Sequence, residues 1–202
     1  LISFGSNADL GFGGAGFDTL FGAAGNDTLY SGTGNDTVSG GAGADILRGG
    51  EGDDVVYGGD GKDTMEGGDG RDVVYGGADA DFVDGDDGDD TIGGGAGHDI
   101  IDGGAGSDEL YGGAGSDVIA GGTGNDTMYG GDGSNSFVIN LDHGDDYIGG
   151  FVTTGDDINT IDLVALDLGV NGYESLTITQ SGPNVVIDTG EGTITLWNTN
   201  VS

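Results

Sequence analysis

Aspartate recurs at every ninth position over most of this chain, and these residues are its clearest candidates for chemistry. The series holds fourteen aspartates and ends on one asparagine: Asp9, Asp18, Asp27, Asp36, Asp45, Asp54, Asp63, Asp72, Asp81, Asp90, Asp99, Asp108, Asp117, Asp126 and Asn135. A catalytic carboxylate pair is singular in a protein, so a regular series does not favour acid–base catalysis. Carboxylate and amide oxygens are instead the ligands that a hard divalent cation prefers. We therefore predict that all fifteen residues are metal ligands.

The aspartates belong to a repeated unit of nine residues. Fifteen units follow one another from Phe4 to Val138 without an insertion, and Gly40–Arg48, with the sequence GGAGADILR, is typical. Glycine occupies the first, second and fourth positions of most units, and the eighth position is apolar in fourteen of the fifteen. Glycine is costly in a helix but allows tight turns, whereas the Thr, Val and Ile near the eighth position suit a strand. Each unit is therefore predicted to form one turn and one short strand over its last three residues.

Two such units would make one coil, with a strand on each side. We expect two parallel sheets, with the eighth side chain of each unit pointing into an aliphatic core and the seventh and ninth pointing outward. Side chains at the same position of every second unit would then stack, which arranges the acidic residues in two columns. One column runs from Asp9 through Asp27 to Asn135, and the other runs from Asp18 through Asp36 to Asp126.

Carboxylates stacked about 5 Å apart repel one another unless a cation lies between them. Ca²⁺ accepts six to eight oxygens in a flexible arrangement, whereas Mg²⁺ demands a stricter octahedron and keeps its waters. We therefore predict bound Ca²⁺, up to about twelve ions. Because the repeats are rich in glycine, whose ordering is entropically costly, they are predicted to be disordered without calcium and to fold when it binds.

Composition supports a cation as the partner. Among 202 residues there are 37 acidic and 3 basic residues, for a net charge of −34, together with 50 glycines and no cysteine. This charge disfavours binding to nucleic acid or to anionic membrane surfaces, and no apolar run is long enough to span a membrane. Without cysteine, neither disulfides nor thiolate metal sites can form. Because the first residue is not Met, we expect the chain to be a piece of a longer protein.

The nine-residue pattern resembles the RTX (repeats-in-toxin, haemolysin-type calcium-binding) family, whose repeat is G-G-x-G-x-D-x-U-x, where U is a large apolar residue. The resemblance covers 4–138 and implies a right-handed parallel β-roll that holds calcium in its turns. It also implies export by type I secretion from a bacterium and an extracellular or cell-surface location. The expected function is a calcium-binding module that folds outside the cell and serves structural or adhesive roles in a larger exported protein, with no enzyme activity of its own.

Several units depart from the pattern. Ala23 and Asp86 replace the second glycine, Ser31 replaces the first, and Asp79 replaces the fourth. In the first unit, Gly11 stands where an apolar core residue is expected, and we predict a worn end there.

One outward stripe of ninth positions carries Tyr57, Tyr75, Tyr111 and Tyr129. Exposed aromatic rings in a line could bind extracellular polysaccharide or dock another surface protein. Alternatively, the rings pair across strands and stiffen the sheet. A third possibility is a self-assembling surface-layer or filament unit, so that three classes of function remain open at this stage.

The segment 139–202 lacks the repeat and is predicted to form an antiparallel β cap over the last coil. Strands are expected at 137–141, 158–166, 176–180, 185–188 and 193–197, and hairpin turns at 181–184 and 189–192. Tyr147, Phe151, Tyr173 and Trp197 are expected to cover the core. The acidic pairs at 145–146 and 156–157 are interpreted as solvated turn residues or further calcium ligands, and His98 and His143 as surface residues. No catalytic motif is found in the sequence.

Overall fold

The nine-residue units form the coils of a parallel β-solenoid in a computed structural model. The structure describes residues 1–139, 143–150, 159–162, 177–181, 184–188 and 192–197. Strand partners within the repeats lie two units apart in the sequence, as in Val55 with Val73 and Gly59 with Gly77. The predicted all-β fold, with two strands per coil in two parallel sheets, is therefore confirmed.

The strands lie in two sheets within the described part of the chain. The larger sheet has twelve strands, in the spatial order β1 (Ile2–Ser3), β3 (Thr19–Ala24), β5 (Thr37–Ala42), β7 (Val55–Asp60), β9 (Val73–Ala78), β11 (Thr91–Ala96), β13 (Glu109–Ala114), β15 (Thr127–Asp132), β17 (Asp145–Gly149), β21 (Thr193–Trp197), β20 (Asn184–Asp188) and β19 (Thr177–Ser181). The smaller sheet has nine, in the order β18 (Thr160–Asp162), β16 (Ser136–Val138), β14 (Val118–Ala120), β12 (Ile100–Asp102), β10 (Phe82–Asp87), β8 (Thr64–Asp69), β6 (Ile46–Glu51), β4 (Thr28–Thr33) and β2 (Leu10–Ala15).

Most strands are longer than the three residues that the sequence indicated. β7 begins at the seventh position of its unit, Val55, and continues through the first three positions of the next unit to Asp60. The extension is possible because the glycine at the second position adopts a positive φ and still pairs with the next coil, as Gly59 (φ 120°) does with Gly77. The glycines thus form part of the sheet as well as part of the turn.

The core is one cluster of apolar side chains, most of them from the eighth positions of the units in both sheets. Those that are buried run from Leu20 and Leu29 through Val56, Met65 and Ile92 to Phe137. The seventh and ninth residues are more exposed than the eighth along strands such as β7, which confirms the predicted alternation. At the first coil, the ring of Phe4 occupies the space beside Gly11 that a side chain there would fill.

Three non-glycine residues have positive φ among the described residues: Ala23 (φ 79°), Asp79 (φ 75°) and Asp86 (φ 69°). All three stand where the pattern has glycine at the second or fourth position. The backbone conformation of the coil is therefore kept at these positions, at a cost in strain that glycine would avoid.

The coils continue past Val138, although the period in the sequence does not. Tyr147 of β17 pairs with Thr127, and Thr160 of β18 pairs with Ser136. In both pairs the partners are separated by more than two nine-residue units, so these added coils are longer than the regular ones. Strand β17 was not predicted from the sequence, because its spacing breaks the period.

The remaining C-terminal strands pair antiparallel, as predicted, at the end of the larger sheet. β19 pairs antiparallel with β20, and β20 pairs antiparallel with β21, which itself lies parallel to β17. The strand expected at 193–197 has those bounds; those expected at 176–180 and 185–188 become Thr177–Ser181 and Asn184–Asp188. Those expected at 137–141 and 158–166 are described only as Ser136–Val138 and Thr160–Asp162. Phe151, Tyr173 and the acidic pair at 156–157 lie outside the described residues.

Candidate metal centres

The aspartates of each column are joined by a ladder of hydrogen bonds along the solenoid. The backbone N–H of Asp54 donates to Oδ1 of Asp72 over 2.7 Å, and the N–H of Asp72 donates to Oδ1 of Asp90 over 2.7 Å. The same bond between successive coils recurs from Asp9 to Asn135 in one column and from Asp18 to Asp126 in the other. The structure therefore brings together the residues of each predicted column.

The second carboxylate oxygen has no hydrogen-bond partner in most of these aspartates. Among the described residues, a buried and unpartnered Oδ2 is found at Asp27, Asp36, Asp45, Asp54, Asp63, Asp72, Asp81, Asp90, Asp99, Asp108, Asp117 and Asp126. Asp9 and Asp18, at the N-terminal end, are only partly buried. A buried polar atom without a partner is costly, and a row of such atoms indicates that a group outside the chain completes them.

Most of the unpartnered oxygens face a space that exists because the first residue of the unit is glycine; in the unit of Asp36 the first residue is Ser31. A Cβ atom added to Gly67 would lie 2.6 Å from Oδ2 of Asp72 and 2.8 Å from the carbonyl oxygen of Gly85 in the next coil. The same space beside Gly112 is bordered by Oδ2 of Asp117 at 2.5 Å and by the carbonyl oxygen of Gly130 at 2.5 Å. We call each such space, lined by one carboxylate oxygen and one carbonyl oxygen, a cradle.

Burial makes the charged form of these carboxylates unfavourable. Removal from water raises the pKa of Asp54, Asp63 and Asp90 to about 7; the backbone N–H bond lowers the pKa, and the stacked aspartates raise it further. Burial likewise raises the pKa of Asp72 and Asp81 to about 6. Near neutral pH the columns therefore favour either protons or a metal cation.

The oxygen atoms that line the cradles suit a cation that binds carboxylate and carbonyl oxygens. Within the described part of the chain, no three acidic or histidine side chains converge to form a metal site. A cation in a cradle would thus depend on backbone carbonyls to complete its coordination, which Ca²⁺ accepts readily. Ions that select imidazole or thiolate ligands find no suitable set in the regular coils.

Asn135 differs from the aspartates before it. Its Oδ1 accepts the N–H of Asp117 over 2.9 Å, whereas its Nδ2 lies 3.5 Å from the carbonyl oxygens of Gly131 and Gly133. The side-chain amide therefore keeps the ladder bond but presents a donor where the aspartates present an oxygen.

Both columns extend beyond the predicted residues. The N–H of Asp126 donates to Oδ1 of Asp146 over 3.0 Å, and the N–H of Asn135 donates to Oδ1 of Asn159 over 2.9 Å. The sequence held a signal for them, because Ile148 and Ile161 each follow two residues after the ladder residue, as the eighth position follows the sixth in a repeat.

His143 is buried, so the interpretation of this residue as a surface histidine was wrong. Its side chain is 1% exposed, and Nδ1 lies 3.1 Å from Oδ2 of Asp146, which is equally buried. Where the regular aspartates have an unpartnered Oδ2, Asp146 thus has an imidazole. His98 is exposed as predicted, and its Nδ1 accepts the N–H of Ser116 over 2.8 Å.

The predicted tyrosine stripe lies on the twelve-stranded sheet, with Tyr57, Tyr75 and Tyr111 exposed and Tyr129 half-buried, but its rings face one another. Tyr57 and Tyr75 stack with centroids 5.6 Å apart and planes 16° apart, and Tyr111 and Tyr129 stack at 5.2 Å and 11°. Gly93, in register between Tyr75 and Tyr111, interrupts the row. The ring faces are therefore directed along the solenoid axis rather than outward.

The opposite stripe of ninth positions carries two aromatic residues at its N-terminal end. Phe12 stacks on Tyr30 with centroids 5.4 Å apart, and the guanidinium of Arg48 lies 5.6 Å from the Tyr30 ring centroid. Arg48 Nε also pairs with Oε2 of Glu66 over 3.1 Å.

Among the described residues, no helix is long and apolar enough to cross a membrane.

Comparison with known proteins identifies the same nine-residue repeats. The family model of the RTX calcium-binding nonapeptide repeat matches residues 5–38, 31–65, 39–74, 57–92, 66–101 and 102–137. A comparison with curated proteins finds no match. Among solved structures, the chain is similar to the crystal structure of the extracellular lipase LipA from Serratia marcescens, with a TM-score of 0.44 and 20% identity over 88% of this chain and 38% of that chain. The chain thus spans well under half the length of that lipase. Because the family model matches more than half of the chain, this protein belongs to the RTX calcium-binding nonapeptide repeat family.

Proposed function

We propose that this chain is a module that binds calcium in the cradles of both aspartate columns and folds when the ion binds. The observation that carries the proposal is the row of buried, unpartnered Oδ2 atoms, most of which lie beside a first-position glycine and a carbonyl oxygen of the next coil. A bound calcium ion supplies positive charge and a flexible shell of six to eight oxygens.

The proposed ligands are the sixth residues of the repeats, and each has two roles. Oδ1 of Asp72 accepts the N–H of Asp54 and so sets the distance between coils, while Oδ2 is directed to the cradle beside Gly67. Asp9 and Asp18 belong to the more exposed first coils. Asn135 is the weakest of the predicted ligands, because its amide nitrogen takes the place of the free oxygen.

Charge links the ion to folding. Of the 202 residues, 37 are acidic and only 3 are basic, so the unfolded chain repels itself and the folded chain buries stacked carboxylates. Calcium binding to the folded state alone would shift the equilibrium toward it. We infer that the chain stays extended where calcium is scarce, which suits passage through a type I secretion channel, and that it folds outside the cell as part of a longer exported protein.

The proposal is tested by far-UV circular dichroism of the whole chain during a calcium titration. We expect a strand signal to develop as calcium approaches the millimolar range and to disappear in excess chelator, and the same titration with magnesium to give a much weaker response. A full strand signal in excess chelator at neutral pH would contradict the proposal.

Carbohydrate binding is the second candidate, and the exposed Tyr57, Tyr75 and Tyr111 are the feature that favours it. Stacking of a sugar needs an outward-facing ring, and the pairing of Tyr57 with Tyr75 leaves mainly ring edges exposed. The arrangement gives more support to cross-strand stiffening of the sheet. Replacement of Tyr57, Tyr75, Tyr111 and Tyr129 by Ala is therefore expected to lower the unfolding temperature in calcium and to leave retention on polysaccharide columns unchanged. A loss of retention with intact folding would favour the carbohydrate function instead.

A further inference from the structure

Ser31 stands at the first position of its nine-residue unit, where the typical unit has glycine. The coil around it is nevertheless regular. Ser31 lies in the same column as Gly49 and Gly67, and its side chain is fully buried. Its hydroxyl donates to the carbonyl oxygen of Gly49 over 2.5 Å, with the carbonyl oxygen of Arg48 at 3.4 Å. The carbonyl of Gly49 is the oxygen that would line this cradle, because Gly85 has the same relation to Gly67.

The side chain of Ser31 therefore fills the space that is open elsewhere. At Gly67, a Cβ atom would meet Oδ2 of Asp72 and the Gly85 carbonyl at 2.6 and 2.8 Å, which is closer than a methylene group normally approaches either oxygen. At Ser31 that carbon is present, and the carbonyl oxygen of Gly49 already accepts a hydrogen bond from the hydroxyl. Oδ2 of Asp36 remains buried without a hydrogen-bond partner, so the hydroxyl does not replace the cation for the carboxylate.

We propose that the Ser31 hydroxyl closes the cradle beside Asp36, so that this turn binds no calcium and folds around a hydrogen bond between protein groups instead. The inference rests on the proposed function, since it assumes that the other cradles take calcium. Its consequence is that the calcium stoichiometry is set by the residue at the first position of each unit as well as by the aspartate at the sixth.

The experiment counts bound calcium ions per chain, by isothermal titration calorimetry and native mass spectrometry at saturating calcium, for the whole chain and three variants. Ser31→Gly is expected to bind one ion more than the wild type, because it opens the cradle. Ser31→Ala keeps the Cβ atom and removes only the hydroxyl, so its count is expected to stay the same. Gly49→Ser is the reciprocal variant and is expected to bind one ion fewer; circular dichroism in calcium establishes that each variant folds.

Two results would overturn the inference. An unchanged count in Ser31→Gly would mean that the turn already holds an ion or cannot hold one, and the loss of one ion in Ser31→Ala would mean that the hydroxyl is itself a ligand. Both are distinct from failure of the proposed function, in which the wild-type chain binds no calcium. If Gly49→Ser does not fold, the Ser31 pair still decides the question.

Discussion

Replacement of Asp72 by Asn is expected to have opposite effects on stability with and without calcium. The side chain of Asp72 is fully buried in the middle of its column. Asparagine keeps an Oδ1 to accept the N–H of Asp54, as Asn135 does for Asp117. It removes the negative charge and the Oδ2 that faces the cradle of Gly67. The variant therefore separates the role of the carboxylate in the ladder from its proposed role as a ligand.

The structure allows the size of both effects to be worked out. Burial, chiefly, raises the pKa of Asp72 from 3.8 to about 6, which corresponds at pH 7 to a cost of about 3 kcal/mol for keeping the carboxylate charged in the metal-free fold. Asp72→Asn removes that cost, so the metal-free variant should be more stable by about this amount. In calcium the variant loses one site, and a site held at 1,000 times its dissociation constant contributes about 4.1 kcal/mol. At that calcium concentration the loss exceeds the gain by about 1 kcal/mol. The sign of the stability change should thus reverse when calcium is added.

Two measurements test this reversal. In saturating calcium, urea unfolding followed by circular dichroism should give a lower midpoint for the variant than for the wild type. In chelator, where the wild type is expected to be unfolded, an osmolyte such as trimethylamine N-oxide promotes folding, and the variant should need less of it. Asp53→Asn, which removes the same charge at an exposed neighbour, is the control and should show neither change in comparable size. A variant that is weaker in both conditions, or that behaves like Asp53→Asn, would refute the reasoning.

Three further predictions concern protons, strain and the cap. Buried ladder carboxylates have a pKa of about 6 to 7 in the folded chain against an ordinary 3.8, so the folded chain binds more protons than the unfolded chain between these values. The stability of the metal-free fold should therefore rise as the pH falls through this window. A strand signal in chelator that is no greater at about pH 4.5 than at about pH 7.5 would disprove this prediction. Ala23→Gly should raise the urea midpoint in calcium by the equivalent of about 1 kcal/mol, because Ala23 has a φ of 79°, whereas Ala24→Gly, next to it in the same strand, should lower the midpoint. His143→Ala leaves the buried carboxylate of Asp146 without its imidazole and should destabilise the calcium-bound chain by about 1 to 3 kcal/mol, as read from urea unfolding; an unchanged midpoint would show that the pair is not stabilising.

Much of the solenoid could be predicted because each feature of it is encoded within nine residues. The spacing of the aspartates predicted which residues stack, and the ladder from Asp54 to Asp72 to Asp90 confirms that register. The alternation around the eighth position predicted the core for the same reason, since neighbouring side chains of a strand point to opposite faces. Local periodicity was sufficient for these features because every coil repeats the same contacts.

The C-terminal coils depend on contacts that the nine-residue period of the sequence does not predict. Strand β17 joins the sheet by pairing Tyr147 with Thr127, and β21 joins it by pairing Thr193 with Asp145. Neither separation along the chain is a multiple of nine, so the repeat period did not predict these pairings, although the strand at 193–197 itself was expected. The burial of His143 follows from its partner, Asp146, whose position is set by those longer coils.

The direction of the tyrosine rings likewise depends on which neighbour each ring meets across the sheet. Tyr75 lies between Tyr57, whose ring stacks on it, and Gly93, which offers no ring. The sequence predicted that these rings share one outward stripe, but their pairing is a property of the assembled sheet.

The sequence by itself determined the repeat, the two columns and the side chains of the core, because these follow from residue type and spacing along the chain. Only the tertiary structure decided that the first glycine of most units leaves a space between a carboxylate oxygen and a carbonyl oxygen of the next coil, and that Ser31 fills one of these spaces. The physical reason is that such a space is bounded by atoms of two successive coils, so its size depends on how closely those coils stack. A spacing of residues predicts which oxygens meet, but only their stacking determines how much room is left between them.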